Sequence, residues 1–175
     1  YIPQNISDVE LLFYACKYDY YAIVNFLIQT KNININKKFK VFYIFIIYNY
    51  TPINIAGSRN NQDIINLLFS TKKIELNESY FYGCKKLSEI TIPDYLTSIG
   101  DDAFSNCISL TKVMVPSSIT KIENYAFRGC SALEQVLFKE PSSLKTIGTE
   151  VFSGCKSMIK ITLPSSLTSI GSGAF

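Results

Sequence analysis

Apolar and polar residues alternate over four short stretches in the second half of the chain, and each stretch follows a phenylalanine and a cysteine. The phenylalanines are Phe81, Phe104, Phe127, Phe152 and Phe175. The cysteines are Cys84, Cys107, Cys130 and Cys155. Successive phenylalanines are 23 residues apart except in the third interval, which Lys139 and Glu140 lengthen to 25. Because a unit of this length cannot bury its own apolar face, the pattern predicts four stacked repeats.

Strict alternation of apolar and polar residues is typical of a half-buried strand. The residues expected to point inward are Ile90, Ile92, Val113, Val115, Val136, Phe138, Ile161 and Leu163. Those expected to point outward form two columns: Glu89, Lys112, Gln135 and Lys160, and then Thr91, Met114, Leu137 and Thr162. These eight outward residues are the candidate partner-binding residues, with Met114 and Leu137 as an apolar pair. The alternative is that the two apolar residues only cover the sheet, as scattered surface apolar residues do.

The first half of the chain shows helical patterns instead. Ser7 and Glu10 have the spacing of a capping box, and Thr51 followed by Pro52 provides a second helix start. Aligning the chain on itself with an offset of 41 pairs Ala15 with Ala56. This half is therefore expected to hold two repeats, each a pair of antiparallel helices.

Two family resemblances follow from these motifs. The sequence from Gly83 to Phe104 resembles the leucine-rich repeat of BspA-like surface proteins. The shared motif is G-C-x-x-L-x-x-I-x-I-P-x-x-L-x-x-I-G-x-x-A-F. That resemblance covers residues 76–175 and implies a β-rich solenoid. The run Thr51-Pro-Ile-Asn-Ile-Ala56 resembles the T-P-L-H-x-A opening of an ankyrin repeat, with Asn54 in place of histidine. The combination is similar to protozoan proteins of the BspA-like type.

The expected fold is an α+β tandem-repeat protein, in which ankyrin helix pairs are continuous with a β-rich leucine-rich-repeat solenoid. Residues 1–78 would form two degenerate ankyrin repeats, and residues 79–175 four BspA-type repeats, with the last one truncated. The apolar run 41–48 is expected to be an insertion between the ankyrin repeats, a translated stretch that the mature message lacks, or a functional finger. No linker separates the two halves, so we expect one continuous body.

The composition offers little for catalysis or metal binding. The chain has five cysteines, no histidine and no C-x-x-C pair, so the commonest general base and the commonest metal ligand are absent. The cysteines are expected to be free, buried thiols. Asp101 and Asp102 fall in a predicted turn, and no phosphate-binding loop is present. We expect no catalytic residue, cofactor or metal.

The expected function is a non-enzymatic protein–protein interaction scaffold that binds unknown protein partners through the strand face and the ankyrin concave surface. The alternative that the BspA resemblance implies is a cell-surface adhesin or surface antigen that binds host matrix proteins. A distant alternative is the regulatory part of an enzyme. The net charge of +3 has no basic stripe, so nucleic acid is not an expected partner, nor is a small molecule or a membrane. A cytoplasmic location is favoured, with the cell surface as the alternative, and both termini look incomplete.

Overall fold

The computed structural model describes residues 6–43, 46–76 and 79–175, with the side chains of 40–43 and 46–49 left out. It divides into two compact units at Ile74 and Glu75. The N-terminal one is called the helical unit and the C-terminal one the repeat unit. The sequence-based boundary between residues 78 and 79 remains a prediction.

Four helices form the helical unit: α1 (Asp8–Lys17), α2 (Tyr21–Thr30), α3 (Pro52–Arg59) and α4 (Gln62–Ser70). Helix α1 packs against α2 and α3, and α4 packs against α3 and α2. Both predicted helix starts are confirmed. The Glu10 amide donates to Ser7 Oγ while the Ser7 amide donates to Glu10 Oε2. Thr51 Oγ1 accepts from the Asn54 amide, with Pro52 at the first helical position.

A tight turn joins the helices of each pair, and its left-handed residue is not glycine. Asp19 has φ 61° and Asn60 has φ 60°, a region that aspartate and asparagine enter more readily than other side chains. The Asp19 carboxylate also accepts from Arg59 Nε at 2.9 Å and from Asn61 Nδ2 at 3.0 Å. This carboxylate therefore links the first turn to the second.

Two antiparallel strands, β1 (Phe39–Tyr43) and β2 (Ile46–Tyr50), connect the two helix pairs. Their register pairs Phe39 with Tyr50 and Lys40 with Asn49. The predicted insertion 41–48 thus coincides with a hairpin, although residues 44 and 45 lie outside the described residues. The Phe39 ring lies 4.8 Å from the ring of Phe13, which ties the base of the hairpin to α1.

Two parallel sheets run along the repeat unit. The first contains β3 (Glu89–Thr91), β5 (Lys112–Val115) and β7 (Gln135–Phe138). The second contains β4 (Ser98–Ile99), β6 (Lys121–Ile122), β8 (Thr146–Ile147) and β9 (Ser169–Ile170). Each of the first three repeats adds one strand to each sheet, and the fourth adds a strand to the second sheet only.

Stacked aromatic rings fill the core between the rungs. Phe104 and Phe127 are fully buried, and their rings are nearly parallel at 5.2 Å between centroids. The stack continues at 5.1 Å to Phe81, at 5.6 Å to Phe152 and then at 5.5 Å to Phe175. The phenylalanine period in the sequence is therefore the period of one continuous column.

The fourth strand predicted in the first sheet is absent from the described residues. Residues 160–163 have no strand conformation, and Ile161 and Leu163 are half-buried rather than inward-facing and buried. Phe138, also expected inside, is half-buried. This segment does not join β7 in the first sheet, so its alternating side chains are not fixed inward and outward by strand pairing.

Candidate interaction surface

The outward residues of β3, β5 and β7 form one exposed surface, called here the strand face. Its members are Glu89, Thr91, Lys112, Met114, Gln135 and Leu137. All six are exposed, whereas Ile90, Val113 and Val136 between them are buried. This alternation confirms the predicted inward and outward assignment on the three strands at every predicted position except Phe138.

Pairing of the strands places like residue positions side by side. Met114 lies opposite Leu137 and Lys112 opposite Gln135 in the parallel register of β5 and β7. Met114 is 50% exposed and Leu137 is 40% exposed, so both present apolar surface to solvent. On the other side, Glu89 pairs with Lys112, which puts opposite charges on neighbouring strands.

Two of the eight candidate residues do not join this surface. Lys160 and Thr162 are exposed but lie in the segment 160–163, which does not pair with β7. The sheet therefore brings together six of the eight predicted residues.

Buried core residues and strand pairing hold the strand face in place. Val113 and Val136 are buried behind the pair Met114 and Leu137, and the backbone amides of the strands are engaged in the parallel ladder. A surface built on paired strands is already ordered before a partner arrives, so less conformational entropy is lost on binding.

The buried cysteines form a second column beside the phenylalanine stack. Cys107 Sγ donates to the Phe81 carbonyl oxygen at 3.0 Å, and Cys130 Sγ donates to that of Phe104 at 3.0 Å. All five thiols are free and buried, as predicted. Burial raises the pKa of Cys84 to about 12, so this thiol stays protonated at neutral pH. A protonated thiol is a poor nucleophile, so Cys84 has the properties of a structural cysteine.

The carboxylate of Asp101 has a structural role in a turn, as predicted. Asp101 Oδ1 accepts from the Asn124 amide at 3.0 Å, and Asn124 Oδ1 accepts from the Thr149 amide at 2.9 Å. Each polar side chain thus caps the next rung. The described residues contain no cluster of three or more metal-ligating side chains. None of the described helices combines the length and apolar character needed to cross a bilayer.

Sequence reasoning missed two features of the helical unit. Tyr18, Tyr20 and Tyr21 are each about half exposed around the α1–α2 turn. A cavity bordered by Lys31 and Lys73 lies at the ends of α2 and α4. The tyrosine-rich stretch 18–21 could have indicated the exposed tyrosines. The lysine that follows each helix pair could have indicated the cavity border.

The stacked parallel rungs define a leucine-rich-repeat solenoid. The family model for the BspA type leucine rich repeat region, which describes six copies, matches residues 55–175. The chain belongs to this family. The match starts within α3. The sequence-based prediction starts the leucine-rich repeats later, at residue 79.

Solved structures share the fold. A leucine-rich repeat protein of T. pallidum is 37% identical with a TM-score of 0.55, over 58% of this chain and 46% of its own. A leucine-rich repeat protein of Bacteroides ovatus is 32% identical with a TM-score of 0.54, over 78% of this chain and 29% of its own. This chain therefore spans less than half the length of either relative. No curated protein matches it.

Proposed function

We propose that this protein is a non-enzymatic interaction module that binds a partner protein through the strand face. The observation that supports this most is the exposed pair Met114 and Leu137, side by side on adjacent strands and bordered by Lys112 and Gln135. An apolar centre with a polar border is the arrangement of a contact hot spot. Because both side chains are already about half covered, burying the rest of the pair would contribute about 1.5–3 kcal/mol in total, which corresponds to at least a tenfold change in affinity.

The experiment compares a Met114→Asp/Leu137→Asp double variant with the unchanged protein. Partner proteins captured by the unchanged protein are identified, and their affinities are then measured with purified components. We expect the double variant to lose more than tenfold in affinity, because two carboxylates would have to be desolvated at the contact. A partner that binds the double variant with unchanged affinity would remove the strand face from consideration.

Ile108→Asp is the matched control for each of the single variants Met114→Asp and Leu137→Asp, because all three add one carboxylate. Ile108 belongs to the same rung as Met114 and is 44% exposed, but it lies outside the strand face. The same chemical change there should leave partner affinity within about twofold. An equal loss in both variants would point to a general effect of added negative charge.

We further propose that the helical unit consists of two degenerate ankyrin repeats whose concave surface adds to the binding area. The Thr51 cap, Pro52 and the left-handed residues at 19 and 60 support this interpretation. It is tested by deleting residues 41–48. Lys40 and Asn49 are already partners across the hairpin, so joining them needs only a small backbone shift. Helix content and the unfolding midpoint should be preserved; collapse of both would show that the hairpin is integral.

For location, the ankyrin interpretation favours the cytoplasm, and the cell surface is the alternative. Antibody labelling of intact and permeabilised cells separates the two. Labelling only after permeabilisation supports the cytoplasmic scaffold, whereas labelling of intact cells supports an adhesin.

A further inference from the structure

A cavity of about 270 Å³ opens at the C-terminal ends of α2 and α4, entirely within the helical unit. The half-buried Ile28 and the buried Ile33 and Ile35 line its apolar part, and Gln29, Ser70 and Thr71 line the rest of the wall. Lys31 and Lys73 line its border, and both are exposed. The volume is below the roughly 300–1,000 Å³ of typical small-molecule sites, so it suits one side chain of a larger partner.

Local hydrogen bonds hold the cavity wall in place. Asn36 Nδ2 donates to the Lys73 carbonyl oxygen at 2.8 Å, which joins the segment after α2 to the segment after α4. The Lys73 amide donates to Thr71 Oγ1 at 3.2 Å. Thr71 Oγ1 in turn donates to the Leu68 carbonyl oxygen, so the end of α4 is satisfied internally. The lysine side chains therefore extend from a fixed backbone.

Charge indicates which partner fits. Residues 1–74 contain eight lysines and arginines against four aspartates and glutamates, a formal net charge of +4. No acidic side chain is among the described residues that line the cavity. Asp8 lies nearby, 3.6 Å from Lys31 Nζ, but both side chains are about half exposed, and such pairs contribute only about 0–1 kcal/mol. A ligand carboxylate can compete for that lysine.

A helix C-terminus carries a partial negative charge, which disfavours a carboxylate placed directly against the carbonyl groups. The carboxylates of a ligand therefore belong at the lysine border and an apolar side chain belongs over the isoleucines. We infer that this cavity binds an acidic peptide segment of a partner protein, with one apolar side chain in the cavity and flanking carboxylates on Lys31 and Lys73. This site is independent of the strand face.

The probe is a fluorescent peptide in which one leucine is flanked on each side by two glutamates, and its binding to the whole chain is measured by fluorescence polarisation. Replacing the glutamates by glutamine should weaken binding about tenfold, since up to two ion pairs are lost. Replacing the leucine by alanine should also weaken it about tenfold, since apolar burial is lost. Binding should weaken in high salt.

Lys73→Gln should weaken binding of the glutamate peptide about fivefold. Lys17→Gln is the matched control, because it removes the same charge at the end of α1, next to the start of α2. The ten residues of α2 place it roughly 15 Å from the cavity. It should change affinity less than twofold. A Met114→Asp/Leu137→Asp variant should bind the peptide normally, which separates this proposal from the strand face.

Several results would overturn the inference. They are no binding of the glutamate peptide at millimolar concentration, equal effects of Lys73→Gln and Lys17→Gln, or indifference to the leucine. If heparin or single-stranded DNA binds as tightly and shows the same loss in Lys73→Gln, the lysines form a general polyanion surface instead.

Discussion

The phenylalanine column should be the main stabilising element of the repeat unit, and Phe127 is the residue that tests this. Its ring is fully buried and stacks on Phe104 at 5.2 Å and on Phe152 at 5.6 Å. Phe127→Leu keeps an apolar side chain, although one with three fewer carbon atoms, and removes both ring pairs. Phe175→Leu is the matched control, because Phe175 is 55% exposed and its described stacking contact is with Phe152 alone.

The magnitude follows from these contacts. Each ring pair contributes about 0.5–1.5 kcal/mol beyond the buried area, so losing two costs about 1–3 kcal/mol. The smaller leucine side chain also loses buried apolar area, which adds roughly 1–2 kcal/mol. The control loses one pair on a half-exposed ring, so it should lose less than about 1.5 kcal/mol. Phe127→Ala should cost about 3–5 kcal/mol because it also leaves a cavity.

Urea unfolding followed by circular dichroism measures these differences. The expected order of lost unfolding free energy is Phe127→Ala, then Phe127→Leu, then Phe175→Leu, at an unchanged denaturant slope. If Phe127→Leu and Phe175→Leu lose the same free energy, the continuous column does not stabilise the interior rungs, and the reasoning is refuted.

Three further predictions address other parts of the structure. Gly148→Ala places a Cβ 2.7 Å from the backbone nitrogen of Asn124, so it should destabilise the repeat unit by about 1–3 kcal/mol in urea unfolding; an unchanged midpoint would contradict this. The hydrogen bond from Arg59 lowers the pKa of Asp19 in the folded protein. The pair therefore stabilises the protein fully above the ordinary aspartate pKa, and this stabilisation is lost as pH falls through the folded-state pKa. Asp19→Asn should therefore cost up to about 1 kcal/mol at pH 7 and progressively less as pH falls through the folded-state pKa, as melting over a series of pH values would show. Burial raises the pKa of Cys84 to about 12, so in the native protein this thiol should react with a disulfide reagent at pH 8 far more slowly than in the denatured protein. Equally fast labelling of Cys84 in both states would mean that the cysteine column opens readily.

The structure shows clearly which features the local pattern encodes. Alternation at Glu89, Ile90 and Thr91 predicted an exposed, a buried and an exposed residue, and the repeat spacing predicted the parallel register that follows. Capping at Ser7 and Thr51 also needed only nearby residues. In each case the physical cause lies within a few residues or within one repeat, so the amino-acid order alone determines the outcome.

Other features depended on neighbours that the local pattern does not report. The segment 160–163 has the same alternation as β7, yet it forms no strand and does not join the first sheet, so alternation alone did not determine pairing there. For the same reason Lys160 was predicted on the strand face and lies outside the sheet. The apolar run 41–48 was recognised as an insertion, but only its backbone pairing identifies it as a hairpin.

The sequence by itself determined the repeat, its register and the direction of most side chains, because periodic burial is a property of each rung. Only the tertiary structure decided where the stack stops being regular, which outward residues share a surface, and that Lys31 and Lys73 border one cavity. Those outcomes depend on contacts between segments 23 to 37 residues apart, such as the pairing of Met114 with Leu137 and the hydrogen bond from Asn36 to Lys73. No local pattern specifies such contacts, because they form only when separate elements pack.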